Sequence, residues 1–559
     1  MKKLRVGYIL DDRTQTTSFV HDIFCRSKGS QHYSIELLIL QKTPRSKASS
    51  PFGRLWQYVK GHGLGRMLDR LGFAVIERLE KVVIRRLTKL GRYYRRFPLD
   101  TMEEIEKLYV TPQVSKSGFV YRYRDDDLAR IREKNLDVLL RGGSGILRGQ
   151  ILEVCPFGVL SFHHADNEVN RGGPPGFWEV YRREACTGFV IQRLTDELDG
   201  GDVLFKGWIP TSPLFLQNQL KLFAKANVFL HLLLEKIGRA GRLPQPYPKV
   251  PYAYRLYRMP NLRRQLIYVV KTYFHLGKKI ARKLVGRELR WGVAYQFVSN
   301  WKNAVLWRSN VIKNPSNHYL ADPFVVHRDG RYVCYVEDYS YADKKGAITA
   351  YEISPDGDRF LGTALSEEFH MSYPFLFEAE GELYMCPETV QAKDIRLYRC
   401  TEFPLKWTLH KVLMDNVRSV DTTIFKANDR WWMLTNVDSS DVGEHGSELH
   451  LFYADSFDSS TWTAHPQNPV VFDSARARNG GFIADGDELY RAFQIRGFDV
   501  YGAALGVARI TELTTQTYRE EPLFTIPPAF FAKIEGTHTY SFANGLLAVD
   551  FKRIENRWK

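Results

Sequence analysis

Two hydrophobic periods run along this chain, one in each half. In the first half, short unbroken apolar runs alternate with charged stretches. Residues 4–10 and 34–40 are rich in Leu, Ile and Val and have strand length, and residues 136–140 and 159–162 repeat the form. Runs of this kind predict strands buried on both faces. Residues 126–135 between them are charged and predict a helix. Strand and helix in alternation predict a parallel, doubly wound sheet, with ligands outside the carboxyl ends of its strands.

Residues 44–110 interrupt that alternation. Within them, residues 52–96 are strongly basic and carry Leu68, Leu71, Phe73, Ala74, Ile76, Leu79, Val82, Val83 and Leu87 at helical spacing. A second stretch, 262–290, sets Arg263, Arg264, Lys271, Lys278, Lys279, Arg282 and Lys283 around an Ile/Val/Tyr/Phe face. Such helices either pack on a domain with a solvated basic face or lie on an anionic bilayer as a peripheral contact.

The second half repeats a hairpin. Five segments share a small or polar start, a strand, a Gly or Asp/Asn turn and an aromatic-rich second strand; they begin at Asp322, Tyr373, Asp421, Gly480 and Gly536, 48 to 59 residues apart. One four-stranded blade with loops has this length, so the repeat predicts a five-bladed β-propeller. The expected organisation is therefore an α/β domain over 1–240 with a basic helical insertion near 44–110, a basic helical linker over 241–299, and a propeller over 300–559.

Composition refines this picture. The chain of 559 residues is 44% hydrophobic and 25% charged, as in ordinary globular domains. Its apolar runs fall far short of the roughly 18 residues a membrane span requires. The apolar stretch near the start is too short for a signal peptide. The six cysteines make no CxxC pair and no metal spacing, which points to a reducing cytoplasm and predicts no metal ligand set. Charge is uneven: residues 1–300 hold 52 Lys+Arg against 27 Asp+Glu, net +25, and residues 301–559 hold 27 against 36, net −9. Such asymmetry suggests two domains with different partners, the basic one suited to nucleic acid, phosphorylated small molecules or an anionic membrane.

The candidate chemistry of the first half lies at the predicted sheet edge. His163 ends a hydrophobic strand, and Asp199 follows 36 residues later in an acidic turn with Gly200 and Gly201. A histidine near neutral pH takes and gives a proton, and a carboxylate beside it favours the cation. The loop Arg171-Gly172-Gly173-Pro174-Pro175 between them is suited to closing over a substrate.

At these residues the chain resembles the folate-dependent formyltransferases, including methionyl-tRNA formyltransferase and the sugar N-formyltransferases. Residues 158–163 resemble the family's Asn-x-His strand, residues 170–178 its Tyr-Arg-Gly-x-x-Pro-x-x-Trp segment, and residues 188–201 its Gly-x-Thr segment ending in Asp-x-Gly. The resemblance implies a Rossmann-like fold, 10-formyltetrahydrofolate as cofactor, His163 and Asp199 as catalytic residues, and a folate loop over 142–147 with Gly142, Gly143, Gly145, Leu147 and Gly200 in contact. Arg171, Asn167 and Trp178 fall where substrate is bound. Ser161 stands where the family has its oxyanion-binding asparagine, which leaves a shorter hydroxyl there or a pocket rebuilt by Asn167 or His164.

The second half resembles the arabinanase and invertase propellers, and more specifically the amino-terminal propeller of glucosamine inositolphosphorylceramide transferases, through residues 318–324. Asp322 and Asp421 fall at equivalent inner positions. Glu388, Glu337 and Asp338 are further acid candidates, and Arg478, Asn479, His538, Tyr319, Tyr373 and Trp431 candidates for a sugar site. Paired carboxylates of this kind perform glycoside chemistry, bind glycans, or cap turns. Together the resemblances imply formyl transfer to the amine of a nucleotide- or lipid-linked amino sugar, with glycan at the propeller. The setting they imply is cytoplasmic, peripheral to the inner membrane surface. Transfer RNA is not the expected partner, because a propeller replaces the small carboxy-terminal barrel, and no nucleic acid is expected. The alternatives are a glycan-binding protein with a relic formyltransferase domain, or a propeller glycosidase or glycosyltransferase.

Overall fold

The computed structural model describes residues 2–42, 59, 63–102, 104–197 and 200–556. The chain divides into two compact units, Met1–Gly207 with Thr211–Thr272, and Trp208–Pro210 with Tyr273–Lys559.

The first unit is built on a seven-stranded sheet in the order Asp202–Pro210, Cys186–Arg193, Val159–His163, Val138–Arg141, Leu4–Asp11, Tyr33–Gln41, Glu106–Val110. From Val159–His163 to Glu106–Val110 the strands are parallel, and Cys186–Arg193 runs antiparallel to Val159–His163. Side chains alternate between faces along a strand. Leu37 and Ile39 accordingly join a cluster with Leu128 and Ile131 of the Asp125–Arg132 helix. The Phe215–Ala240 helix packs on the strands Leu4–Asp11, Tyr33–Gln41 and Cys186–Arg193. Apolar runs without polar alternation are what this double cover requires. Each fully buried Leu or Ile stabilises it by about 1.5–3 kcal/mol.

The basic stretch predicted over 52–96 contains a helix at Leu64–Leu87. Residues 43–58 and 60–62 of the interruption lie outside the described residues. The second basic stretch forms the Leu262–Leu284 helix.

The second unit contains five consecutive antiparallel sheets. Their first hairpins are His318–Arg328 with Arg331–Ser340, Ser372–Ala379 with Glu382–Glu388, Ser419–Ala427 with Arg430–Val437, Asn479–Asp485 with Glu488–Gly497, and Tyr540–Ala543 with Leu546–Asn556. The turns explain the repeat: Asp329 and Gly330, Asn428 and Asp429, and Asn544 and Gly545 all hold positive φ. Two-residue hairpins need that conformation, and Gly, Asn and Asp reach it at low cost. The first strand of each sheet packs against the first strand of the next, and that of the fifth packs back on that of the first.

The fifth sheet is completed from the other end of the unit. Arg287–Phe297 pairs over its whole 11 residues with Leu546–Asn556. That strand falls in the stretch read from the sequence as the 241–299 linker, so the all-β unit begins ahead of residue 300. Its partner is some 260 residues away, which local periodicity cannot reveal. The chain is thus multidomain, an α/β unit followed by a ring of five sheets.

Candidate functional site

At the edge of the α/β sheet, register sets Ser161 beside Arg141 on one side and Gln192 on the other, with His163 opposite Val190. His163 Nε2 lies 2.9 Å from the carbonyl of Asn170. Asn170 is buried, and its amide donates to Glu179. Burial pushes the Glu179 carboxyl up to about 7, against the opposing pull of its hydrogen bonds. Burial also drives His164 down to about 3, so it stays neutral and handles no proton near pH 7. The Ser161 hydroxyl donates to the Phe162 carbonyl at 3.2 Å and is thus occupied by its own strand. Leu198 and Asp199 lie outside the described residues, and with them the expected meeting of Asp199 with His163.

The loop expected to contact folate is packed by the domain's own side chains. A Cβ at Gly142 would meet the Tyr8 ring at 2.7 Å, one at Gly143 the Gln41 amide at 2.6 Å, and one at Gly145 the Tyr121 ring at 2.5 Å. Leu147 is buried in the core. The nearby Asp11 carboxylate accepts from both the backbone and the hydroxyl of Ser144. Trp178 is buried too, donating to the Gly173 carbonyl at 3.1 Å and so bracing the loop that follows Arg171. Asn167, Arg171 and Gly200 do come together, around a cavity of about 340 Å³ with Glu168, Lys206 and Tyr252. There the Arg171 guanidinium stacks on the Tyr252 ring at 4.4 Å.

The second unit gathers more chemistry. In four of its sheets the first strand carries a bulge, between Ala321 and Phe324, Ser372 and Phe375, Val420 and Thr423, and Asn479 and Gly481. The first three hold a non-glycine residue at positive φ, Asp322 at 48°, Tyr373 at 46° and Asp421 at 52°. Such backbone is costly, and bulges re-aim side chains beside functional sites. Glu337 and Glu388 pair in register with Ala321 and Ser372, so they take matching places on the second strands.

The result is a buried polar cluster. Arg478 donates to Asp421 with Nε at 2.6 Å and Nη2 at 3.3 Å, lies 3.7 Å from Glu388, and stacks over Tyr501 at 4.7 Å. Gln494 donates to the same Asp421 oxygen at 3.0 Å. Asp322 accepts from the Thr539 hydroxyl at 2.7 Å and from the Tyr373 backbone at 3.3 Å. His538 meets Asp550 through Nδ1 and Asp322 through Nε2 at 3.6 Å, and its ring lies on Trp291 at 3.8 Å between centroids. Asp550 also accepts from the backbone of His538 and Thr539. Asp322, His538 and Asp550 bring three potential ligand atoms within 4.8 Å of one another, a set that could hold a cation. No spacing in the sequence pointed to it.

Burial dominates the electrostatics here. It raises Asp322 to about 6 against the pull of His538. It raises Glu337 well above the usual range, with Asp322 and Glu388 adding repulsion. Glu388 is raised in the same way by burial and by Asp421, with which it shares a hydrogen bond. Burial works against the charge on Arg478, but Asp421 outweighs it and holds the guanidinium cationic. Neutral carboxyls thus sit beside a formal ion pair, which suits proton donation to, and hydrogen bonding of, a polyhydroxylated ligand.

Residues 293–533 match the family described as glucosamine inositolphosphorylceramide transferase 1, N-terminal. The chain is 37% identical over 219 residues to the glucosamine inositolphosphorylceramide transferase 1 of Oryza sativa subsp. japonica, covering 37% of this chain and 28% of that protein. It therefore spans little more than a quarter of the length of that relative. It is 26% identical over 209 residues to the methionyl-tRNA formyltransferase of Acetivibrio thermocellus, covering 36% of this chain and 64% of that one. Among solved structures, the catalytic domain of a Coprinopsis cinerea GH62 α-L-arabinofuranosidase is 12% identical with a TM-score of 0.33, covering 43% of this chain and 92% of that one.

These matches correct the expected activity. The relatives at 37% carry the name of a glycolipid transferase, and the formyltransferase likeness is distant. Formyl transfer as the enzyme class and 10-formyltetrahydrofolate as the cofactor are both set aside. The motif resemblance misled because a sheet edge ending in histidine followed by a Gly-rich loop belongs to a fold, while chemistry belongs to the site.

Other residues stand where the sequence did not put them. Trp431 lies at the turn end of its strand, packed on Phe377 and Phe457, at the opposite end from Asn436. Asp550, Gln494 and Tyr501 went unnoticed. Asp550 could have been found by extending the repeat, since it follows Val549 as Glu337 follows Val336.

Proposed function

We propose that this chain serves sugar transfer on a glycolipid of the inositolphosphorylceramide type. Its all-β unit, read as a five-bladed β-propeller, holds the sugar at the cluster of Asp322, Glu337, Glu388, Asp421, Arg478 and His538. The propeller reading is supported by five hairpin repeats, by the cyclic packing of their first strands, and by the pairing of Arg287–Phe297 with Leu546–Asn556. The observation that carries the functional reading is the buried Glu388–Asp421–Arg478 group within the segment that matches the transferase family. On binding, the raised Glu388 turns its proton from Asp421 to a sugar oxygen. Asp421, fixed by Arg478 and Gln494, accepts from an adjacent hydroxyl, giving the paired geometry that sugars favour.

A second reading is recognition without bond making. It is favoured by the backbone N–H groups that Asp322 and Asp550 already satisfy, from Tyr373 and from Asp322 itself, which tie neighbouring sheets together.

The test is calorimetric titration of the full chain with a soluble glycosyl-inositol-phosphate headgroup, followed by a transfer assay with a nucleotide-linked sugar. Saturable binding, weakened about 10-fold or more by Asp421→Asn in a protein of unchanged melting temperature, is expected. No binding of the headgroup by the wild-type chain would sink the proposal. Binding that survives with no transfer would select the second reading.

A further inference from the structure

The Leu64–Leu87 helix presents apolar residues on both sides. Phe73, Ile76, Glu80 and Ile84 are buried. On the opposite side Leu64, Leu68, Leu71, Val75, Leu79 and Val82, three and four residues apart, are exposed, Val75 at 57% and Leu79 at 58%. The Leu262–Leu284 helix repeats the arrangement: Gln265, Tyr268 and Thr272 face inward, while Leu266 is 65% and Val270 59% exposed.

Polar latches hold both helices, so the outer stripes are not needed for folding. The backbone N–H of Leu262 donates to Asp69 at 2.7 Å, and the Gln265 amide donates to the Asp69 carbonyl at 2.6 Å. Tyr268 donates to Glu80, which also accepts from Leu216 N–H at 2.8 Å at the start of the Phe215–Ala240 helix. Close approach of the two helices depends on Gly72, where a Cβ would stand 2.5 Å from Gln265 Oε1.

Each stripe is flanked by cations. Helical geometry puts Arg70, Arg78, Lys81 and Arg85 along one edge of the first, and Arg263 and Lys271 along one edge of the second within the α/β unit. Residues 1–300 carry net +25. An apolar face edged with Lys and Arg is complementary to an anionic bilayer: the apolar residues enter the acyl boundary and the cations meet the headgroups. A second copy would bring like-charged edges together, which argues against self-association. Among the described residues no helix is long and apolar enough to cross a membrane.

We propose that these two helices are a membrane-docking face, by which the α/β unit lies on an anionic bilayer with both apolar stripes in the interface. The idea is independent of the sugar cluster, and either can fail without the other.

Vesicle flotation of the full chain tests it, with phosphatidylcholine alone and with about 30 mol% phosphatidylserine. Partitioning onto the anionic vesicles, falling as salt rises, is expected. Leu71→Glu with Val75→Glu, and separately Leu266→Glu with Val270→Glu, should each lower it about 10-fold or more. These positions are exposed, so thermal unfolding should not change. Three results would overturn the proposal: no partitioning onto anionic vesicles, partitioning unaffected by either pair, or sedimentation showing a dimer that Leu71→Glu with Val75→Glu dissociates. The last would assign the stripe to a second copy.

Discussion

Asp421 depends on one neighbour more than any other. Its carboxylate is 2% exposed and takes both contacts from Arg478. Removing the guanidinium leaves a buried anion with no countercharge beside the Gln494 amide and the Glu388 carboxyl, so Arg478→Leu should destabilise the all-β unit by about 3–5 kcal/mol in denaturant unfolding. Glu179 makes a different prediction. Its folded pKa is about 7 against an ordinary 4.5, through burial. The folded state therefore holds the proton more tightly than the unfolded chain does. Its contribution is most favourable below the unfolded value and is lost as pH rises from about 4.5 to about 7. The loss is on the order of 3 kcal/mol across that window. Glu179→Gln should flatten the pH dependence of the α/β unit's melting over the same range; an unchanged slope would place the titrating group elsewhere. At this scale the repeat in the sequence aligned Asp322 with Asp421, and both stand at a bulge of a first strand. It was silent about which side chains touch. Arg478 and Asp421 are 57 residues apart, and Asp322 and Thr539 are 217 apart.

Among the elements, those that obey a local period were legible. Residues 34–40 read as a buried strand and lie within Tyr33–Gln41. The charged stretch 126–135 overlaps the helix Asp125–Arg132, whose first turn holds Asp125, Asp126 and Asp127 and whose last holds Arg130 and Arg132, in accord with the helix dipole. The strand Arg287–Phe297 was not legible. It sits beside a basic helix, and its Arg and Glu residues blur the alternation, so only its long-range partner identifies it. A fragment of residues 273–559 should therefore melt cooperatively. One of residues 301–559, which exposes the edge of Leu546–Asn556, should aggregate or melt without cooperativity. Circular dichroism melting with light scattering distinguishes the two, and equal behaviour would show that the closing strand contributes little.

For the whole molecule, the motif resemblance implied formyl transfer, whereas relatives at 37% identity carry the name glucosamine inositolphosphorylceramide transferase 1. The formyltransferase-like edge supplied familiar motifs, yet its glycine loop is packed by Tyr8, Gln41 and Tyr121, and its serine hydroxyl is spent on its own strand. The acidic unit carries the stronger likeness and the denser chemistry. The proposed work on a lipid-borne sugar rests on the buried carboxylate cluster of the acidic unit, and the proposed docking rests on the exposed apolar stripes of the basic one. The vesicle and headgroup experiments test the two contributions separately.

By itself the sequence determined the periodicities: apolar runs alternating with helices in one half, hairpins with positive-φ turns in the other. These are local, since the backbone repeat and turn chemistry act over a few residues. Only the tertiary structure decided which carboxylates share a site, which strand completes the fifth sheet, and which side of each basic helix faces solvent. Those outcomes depend on contacts between residues tens to hundreds of positions apart, which no local pattern encodes.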